Sequence, residues 1–388
     1  MMSNISKINK SRLACIIYTF AIVIFTMPKS IDNIELLHTV VNCLKIFFAF
    51  AICLLMILNK LRCNKFSLMF LIYFAYVILI SFINHRSMAI PIKTYVLDAV
   101  AVLSIYLLLK NNSKDKAISF LSNYYLILLT IAFGQIIILF INSYISGIPM
   151  GNVNTILGLD NRMFLYSIID ILFLSYNIKE NKISKVKFIY VFLLSLLSTL
   201  LCYSVMGFIS IVIILLCYFI NTKNSKFKIN TNVILLLFIG ISIFLVFANF
   251  NDGFFGTMLS FMNKLTSLKY RKYIWKAAVN SLVKSPVNIF IGFGFFDTHN
   301  FLAGIYPWAT AAMTPNHLHN LLLNTIFFSG IIGLTLYIYN LYSVSKNLNK
   351  IKKYNIKRLY IGIYVAFLAQ LLMDTFEYYQ VYYMIFIL

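Results

Sequence analysis

Apolar runs of membrane-spanning length recur along almost the whole chain, and they constrain its fold more than any other feature. As α-helices, such runs can cross the roughly 30 Å hydrocarbon core of a bilayer. The composition agrees, because 61% of the 388 residues are hydrophobic and only 11% are charged. The runs cover residues 13–28, 36–58, 66–83, 92–109, 118–142, 163–177, 187–202, 204–220, 231–249, 318–342, 358–373 and 377–388. The sequence therefore predicts an all-α polytopic membrane protein of about twelve transmembrane helices, with residues 1–388 in one integral membrane domain.

Basic residues are distributed unequally between alternate connectors. Cytoplasmic loops of membrane proteins carry the excess of Lys and Arg. Here that excess lies in the N-terminus and in the loops at 59–65, 110–117, 178–187, 221–230 and 343–358. Both termini are therefore predicted to be cytoplasmic, and the long connector at 250–317 lies on the outer side. That connector holds most of the outer basic residues. Topology does not explain this charge, which indicates a ligand.

Charge and cysteine usage exclude several other classes of protein. A net charge of +22 would indicate nucleic-acid binding in a soluble protein, but these charges lie in short loops between apolar runs, where they set topology. Nucleic acid is therefore not expected as a partner. The six cysteines form no CxxC pair and have no histidine at ligand spacing, so neither a disulfide framework nor a metal site is predicted.

The connector at 250–317 carries an amphipathic pattern. Its stretch "TSLKYRKYIWKAAVNSLVKSP" has helical spacing, with Trp275 and several tyrosines suited to a membrane interface. Pro286 and the following "IGFGF" then interrupt the pattern. We therefore expect one or two short helices over the membrane surface within this loop.

The stretch "TPNHLHN" lies at the mouth of the apolar run 318–342 and holds two of the five histidines. Thr314 and Pro315 are typical of an N-cap and a first-turn proline. They predict that a helix begins there, with His317 and His319 in its first turns. A helix N-terminus disfavours positive charge, so we expect a neutral imidazole that can accept a proton as a general base.

Three asparagines in and after the same stretch are spaced four residues apart, namely Asn316, Asn320 and Asn324. On a helix this spacing forms one polar face, which could hydrogen-bond a sugar or a water. The same pattern is also typical of an interfacial His-Asn cap that performs no chemistry. Taken alone, the stretch leaves both interpretations open.

Two motifs in this region resemble one known family. His319-Asn320, a gap of nine residues and Gly330-Ile331-Ile332-Gly333 resemble the His-Asn and Gly-x-x-Gly signature of the O-antigen ligase and polymerase superfamily. The segment from Arg271 to Trp275, with the Pro and the Gly-rich turn that follow, resembles that family's Arg-x-x-x-Trp segment. Together the motifs span residues 271–333 in the family's order.

The resemblance implies a metal-independent glycosyltransferase without a cofactor, located in the bacterial inner membrane. Its active site would face the periplasm, which makes 250–317 a periplasmic loop. The donor would be a polysaccharide on undecaprenyl diphosphate. In a ligase the acceptor is a sugar hydroxyl of the lipid A-core, whereas in a polymerase it is another lipid-linked chain.

Ligase and polymerase are not separated well by the sequence. The ligase is favoured because both motifs are intact and the chain is compact. Many ligases of the family carry a Ser-Arg-Gly turn between two central helices, and the corresponding stretch Ser204–Gly207 has no arginine. Because of that difference, a polymerase remains an alternative to the ligase. A lipid-linked sugar transporter is less favoured, because transporters place polar groups near the bilayer midplane and the candidate residues here lie at the outer edge.

Three residues are expected to carry the chemistry implied by the resemblance. His319 would be the base that activates the acceptor hydroxyl. Arg271, which matches the family's loop arginine, would bind the leaving diphosphate, since a guanidinium can grip phosphate oxygens at two points. Arg162 is the second candidate for the diphosphate, because "LDNRMFLYS" predicts that it begins a helix at the outer face. Alternatively, Arg162 anchors that helix at the membrane interface.

Other polar residues of the outer face are expected to assist. His317 would orient His319 or contact the acceptor, unless it is only a solvated residue at the helix end. Lys272 would add positive field or contact lipid headgroups. Asp374 and Glu377 lie three residues apart and would steady the base or the acceptor, unless they form a solvated turn. Asp98, within an apolar run, is expected to face the interior of the bundle, as is Asp170, and neither is given a role.

Overall fold

The structure is a computed structural model. It describes residues 2–27, 34–58, 65–87, 89–147, 154–159, 161–179, 185–202, 204–219, 230–248, 265–296, 318–351 and 354–372. The helices are α1 (Met2–Phe25), α2 (Glu35–Leu58), α3 (Lys65–Ile83), α4 (Ala89–Lys110), α5 (Lys114–Ser146), α6 (Asn161–Lys179), α7 (Lys185–Leu201), α8 (Val205–Phe219), α9 (Thr231–Phe247), α10 (Leu265–Lys284), α11 (Pro286–Ile291), α12 (Leu321–Lys350) and α13 (Tyr354–Leu371).

The predicted apolar runs are helical over most of the residues that the structure describes, with exceptions at their ends such as 318–320. Within the described part of the chain, three helices, α2, α5 and α12, are long and apolar enough to cross a membrane, and α1, α3, α6, α7, α8 and α9 contain shorter apolar stretches. The last predicted run, 377–388, lies outside the described residues. Of the connector at 250–317, the described part is 265–296, which forms α10 and α11. The all-α class is therefore confirmed, while the number of spans stays a prediction.

A small β-hairpin interrupts the helical chain between α5 and α6. Strands β1 (Asn154–Thr155) and β2 (Gly158–Leu159) pair antiparallel, with Asn154 opposite Leu159. The turn is fixed to α5 because the backbone N–H of Ile156 donates to Oε1 of Gln135 at 2.6 Å. Each strand has only two residues, which is too short for a pattern of apolar residues to indicate a strand. The sequence therefore did not predict the hairpin.

Hydrogen bonds at one end of the bundle join the start of one helix to the end of another. The hydroxyl of Tyr166, near the start of α6, donates to the carbonyl of Thr26, just after α1, at 3.1 Å. The side-chain amide of Asn320, just before α12, donates to the carbonyl of Leu372, just after α13, at 3.3 Å. We call this end of the bundle the motif end.

The opposite end has matching links between helix starts and helix ends. Ser11 of α1 donates to the side chain of Asn111, which follows α4, at 2.9 Å. Thr231, the first residue of α9, donates to the carbonyl of Ser345 near the end of α12 at 2.8 Å. The contacts at both ends therefore fit one up-and-down bundle.

Both aspartates that were predicted to face the bundle interior do so. The side chain of Asp98 is buried in α4, and that of Asp170 is fully buried in α6. Ser122 of α5 donates to Oδ1 of Asp170 at 3.2 Å. Around them the core is rich in aromatic rings, such as the stacked pair Tyr125 and Phe173, whose centroids lie 5.7 Å apart.

Candidate active site

The residue predicted to be the base, His319, precedes α12 and has a left-handed backbone. Its φ is 52°, and α12 begins at Leu321 with Asn320 as its N-cap. The Asn320 carboxamide oxygen accepts from the backbone N–H of Leu323 at 3.0 Å, which satisfies a donor that the first turn would leave free. The predicted helix start at Thr314 and Pro315 is therefore wrong for His319, which lies before the first turn.

Asn320 and Asn324 do not form the predicted polar face. The Asn320 oxygen also accepts from the hydroxyl of Ser242 on α9 at 3.0 Å, and its amide group binds Leu372. The Asn324 oxygen accepts from the backbone N–H of Leu318 at 3.3 Å. Both side chains are buried, so their amides hold the chain around His319 in place.

Trp275 connects the loop helix α10 directly to the residue before His319. Its indole N–H donates to the carbonyl of Leu318 at 2.7 Å. Both side chains are fully buried, in a small core that includes Leu323 and Phe327 of α12. Leu318 is therefore held through its N–H by Asn324 and through its carbonyl by Trp275, and this fixes the backbone that carries His319.

Arg271 and Lys272 lie one helical turn before Trp275. Arg271 is four residues from Trp275, so the two side chains share a face of α10 at a Cβ separation of about 6 Å. Arg271, Lys272 and His319 are all half-buried. Burial lowers the pKa of Lys272 below its ordinary value. The Trp275 hydrogen bond thus brings the region of Arg271 and the region of His319 together.

Gly330 breaks α12 within one of the three candidate spans. Its backbone has φ 64° and ψ −170°, a region open essentially to glycine alone. Above the break, the carbonyls of Phe327 and Phe328 accept from the N–H groups of Phe293 at 2.9 Å and Gly294 at 3.0 Å. Backbone freed at membrane depth must find partners within the protein, and the Gly-rich segment 292–296 supplies them.

The Gly-rich segment 292–296 also contacts the end of α3. Ser81 accepts from the backbone N–H of Phe295 at 2.9 Å, and the Asn84 amide donates to the carbonyl of Gly292 at 3.2 Å. Arg86 donates from Nε to the carbonyl of Phe293 at 3.2 Å. An added Cβ at Gly294 would lie 2.7 Å from the Cα of Ser81, so this contact also requires glycine.

Comparison with known proteins identifies the segment that holds these contacts. Residues 190–338 match the family described as O-antigen ligase. This match supports membership of the O-antigen ligase superfamily. Neither the curated proteins nor the solved structures gave a match. The family match runs from α7 into α12 and includes Arg271, Trp275, His319 and both glycine motifs.

The structure gives a physical reason for each O-antigen ligase motif in this chain. The Asn of His-Asn caps α12 and leaves the His just outside the helix. The Trp of Arg-x-x-x-Trp holds the carbonyl before that His. The first Gly of Gly-x-x-Gly, Gly330, opens α12 for the Gly-rich segment, and an added Cβ there would overlap the carbonyl of Phe290.

Other residues predicted from the O-antigen ligase resemblance are located only in part. Arg162 is the second residue of α6, which confirms that it begins a helix, and the Tyr166 contact puts that helix start at the motif end. Asn316, His317 and Glu377 lie outside the described residues, as does Asp374.

The stretch Ser204–Gly207 lies at the junction of two helices, with Ser204 before α8 and the other three residues in the first turn of α8. It joins α7 to α8, and the backbone N–H of Ser204 donates to the carbonyl of Thr199 at 2.9 Å. The packing is close, because an added Cβ at Gly207 would lie 2.9 Å from a methyl group of Thr199. The stretch thus lies between two helices, as the resemblance implied, and it contains no arginine.

Ser81, Asn84 and Arg86 are the residues of this region that the sequence interpretation missed. All three belong to the end of α3 or to the turn after it, far from either motif in the chain. The distribution of basic residues indicates no role for Arg86 beyond that of one charge on the outer side. A single arginine directly after an apolar run is also typical of an interfacial anchor, so the sequence held no signal for its contact with the Gly-rich segment.

Proposed function

We propose that the protein is an O-antigen ligase. It transfers a polysaccharide from undecaprenyl diphosphate to a sugar hydroxyl of the lipid A-core. The observation that supports this most directly is the hydrogen bond from Trp275 to Leu318 at 2.7 Å. It links the helix of the candidate diphosphate-binding arginine to the candidate base, and these are the two functions that glycosyl transfer from a diphosphate requires.

His319 acts as the general base. It removes the proton of the acceptor hydroxyl while that oxygen attacks the anomeric carbon of the donor sugar. The bond from this carbon to the phosphate oxygen breaks, and the electron pair leaves with undecaprenyl diphosphate. His319 then holds the proton until it is lost to water. A backbone fixed on both sides of the imidazole favours this reaction, because a correctly placed base lowers the entropic part of the barrier.

Positive charge stabilises the leaving diphosphate. Arg271 contacts its oxygens at two points, Arg162 contributes from the start of α6, and Lys272 adds to the field. The reaction needs neither a metal nor a cofactor, because these cations offset the developing charge. The membrane lipids hold both lipid-borne substrates at the same surface.

The remaining predicted residues are assigned to the acceptor. Asn316 and His317 precede His319 in the chain and contact the acceptor sugar, while Glu377 steadies the base or the acceptor. Asn320, which was first assigned to the substrate, is given a positioning role, because its amide is buried and bonded to Ser242, Leu323 and Leu372.

The proposed location is the bacterial inner membrane. Both termini face the cytoplasm, residues 1–388 form one integral membrane domain, and the loop at 250–317 lies in the periplasm over the active site. The unequal distribution of basic residues supports this orientation.

Complementation of two strains tests the function. Wild-type protein is expressed in a strain that lacks its ligase and in one that lacks its polymerase, each supplied with a matched donor, and the lipopolysaccharide ladder is followed on a gel. Long chains should return on lipid A only in the ligase-deficient strain. His319→Ala and Arg271→Ala should abolish or strongly reduce the ladder with the protein still inserted, and His38→Ala on α2 should have no effect. A wild-type ladder from His319→Ala would remove the proposed base.

The polymerase is the second candidate, and the missing arginine in Ser204–Gly207 is the observation that favours it. In this case the ladder would lengthen only in the polymerase-deficient strain. The roles of His319 and Arg271 would stay, because the donor is the same, and the lipid A-core acceptor would be wrong.

A further inference from the structure

Arg86, outside both family motifs, is held in one orientation at the motif end. Its Nε donates to the carbonyl of Phe293 at 3.2 Å. Its guanidinium lies over the ring of Phe296, with the central carbon 4.1 Å from the ring centroid. The backbone N–H of Arg86 donates to the carbonyl of Ser81 at 2.9 Å. The side chain is therefore ordered by one hydrogen bond and one ring face.

These contacts leave most of the guanidinium unused. Arg carries five N–H donors, and only the one on Nε has a partner among the described residues. Burial lowers the pKa of Arg86, and no carboxylate of the described chain contributes to that shift. The structure thus contains a partly desolvated cation whose two Nη groups and whose charge have no anionic partner in the part of the chain described.

The residues that hold Arg86 pack against the small core that contains Trp275 and Leu318, next to the proposed base. These two residues, Phe293 and Phe296, pack on Phe327 of α12 with ring centroids 4.9 Å and 6.0 Å apart. Phe327 belongs to the core that buries Trp275 and Leu318. It is eight residues after His319, so the two lie roughly 12 Å apart along the chain direction at about 1.5 Å per helical residue.

The partners of Arg86 pack on Phe327, so the distance that matters is the one between His319 and Phe327. It suits a substrate that reacts beside His319 and carries a charged group deeper along α12. The Gly-rich segment between Arg86 and α12 is pinned by backbone hydrogen bonds to Phe327 and Phe328. The cation is therefore placed by rigid neighbours. A preordered guanidinium loses little side-chain entropy when it binds an anion.

We propose that Arg86 binds a phosphate oxyanion of a lipid-borne substrate through its two Nη groups. The proposal rests on the proposed function, since that function supplies substrates of this class. The phosphate belongs either to the undecaprenyl diphosphate of the donor or to the phosphorylated acceptor lipid. Planar two-point binding is the geometry in which arginine exceeds lysine as a phosphate ligand.

The test measures binding, so it does not depend on transfer. The purified full-length protein is placed in nanodiscs of zwitterionic lipid, and affinity is measured separately for undecaprenyl diphosphate, lipid A and uncharged undecaprenol. Arg86→Gln should weaken binding of one phosphate-bearing ligand about 10-fold or more and leave undecaprenol unchanged. The arm that shows the loss identifies the source of the phosphate.

A matched charge control is Lys284→Gln, which removes one cation from the exposed end of α10. It should bind both phosphate-bearing ligands as wild type does. Unchanged affinity of Arg86→Gln in both arms would overturn the proposal. An equal loss in Lys284→Gln would also overturn it, because the effect would then be general attraction by positive charge.

A second variant covers the case in which Arg86→Gln does not fold. Arg86→Lys keeps the charge and one donor for Phe293 but has no planar fork, so it should remain monodisperse and still bind the phosphate-bearing ligand several-fold more weakly. Wild-type affinity of Arg86→Lys would overturn two-point binding. His319→Ala is measured in the same assay and should bind normally. If His319→Ala still transfers polysaccharide, the proposed base fails while the Arg86 result stands on affinity alone.

Discussion

His319 owes its position to the residues on either side of it. Leu318 is held through both its N–H and its carbonyl, by Asn324 and Trp275, and Asn320 is held by three partners. These contacts stabilise a left-handed backbone at His319 that a residue with a Cβ rarely adopts. Strain of this kind, about 1–3 kcal/mol, persists only where the surroundings fix it, so we expect the contacts around His319 to matter for rate more than for folding.

Trp275→Phe tests this expectation. The change keeps an aromatic ring in the buried site and removes the 2.7 Å hydrogen bond to Leu318. The net loss of stability should be about 1–2 kcal/mol, whereas transfer should fall about 10-fold or more because the base is no longer fixed. The measurements are thermal unfolding of the purified protein and the ladder assay.

Tyr144→Phe, at a side chain that is 84% exposed on α5, is the control for loss of a polar group from an aromatic side chain. It should leave both measurements unchanged. Wild-type transfer by Trp275→Phe would show that the backbone of His319 is fixed without Trp275.

At the scale of elements, the helices could be predicted, but the start of the helix after His319 at the candidate active site could not. Burying backbone in lipid demands helices, so apolar runs indicate where they lie, and the start of α6 near Arg162 followed from local residues. The start of α12 did not, because Thr314-Pro315 and Asn320 are both good local signals. The helix begins after Asn320, whose side chain also forms hydrogen bonds with Ser242 and Leu372. Both partners are distant in sequence, so a local pattern does not reveal them.

The break in α12 gives a second prediction. Gly330→Ala should destabilise the protein by at least about 2 kcal/mol, because alanine disfavours this backbone region and its Cβ would overlap the carbonyl of Phe290. Thermal unfolding in detergent measures the change. The control is Gly240→Ala in α9, where an added Cβ meets nothing within 4 Å and where alanine favours the helix. Equal stability of the two variants would mean that the break is not required.

For the whole molecule, the hydrogen bonds at both ends join helix starts to helix ends, but they do not define which end faces the cytoplasm. That orientation was inferred from charge alone, since the excess of Lys and Arg follows the connectors opposite the motif end. The position of Arg86 shows the limit of the same argument. Counting charges treats Arg86 only as a marker of which side of the membrane its loop faces. In the structure, however, Arg86 contacts the Gly-rich segment 292–296.

Cysteine labelling in intact cells tests the orientation. In a cysteine-free background, Lys284→Cys at the end of α10 should react with a membrane-impermeant maleimide, because the motif end is expected to face the periplasm. Lys346→Cys near the end of α12 should react only after the inner membrane is opened. Both positions are exposed, so access to the reagent decides the result. The reverse pattern would place the motif end in the cytoplasm and remove the proposed site of transfer.

The contact between the Gly-rich segment 292–296 and α12 has a consequence for protein engineering. Two short stretches that are more than thirty residues apart in sequence fit each other backbone to backbone, and the end of α3 closes around them. Suppose that only the outer loop were exchanged with that of a relative. The loop of one protein would then have to pack on the α12 and α3 of another, to which its backbone is not matched. In such an exchange, the loop, the first turns of α12 and the end of α3 should therefore be moved together.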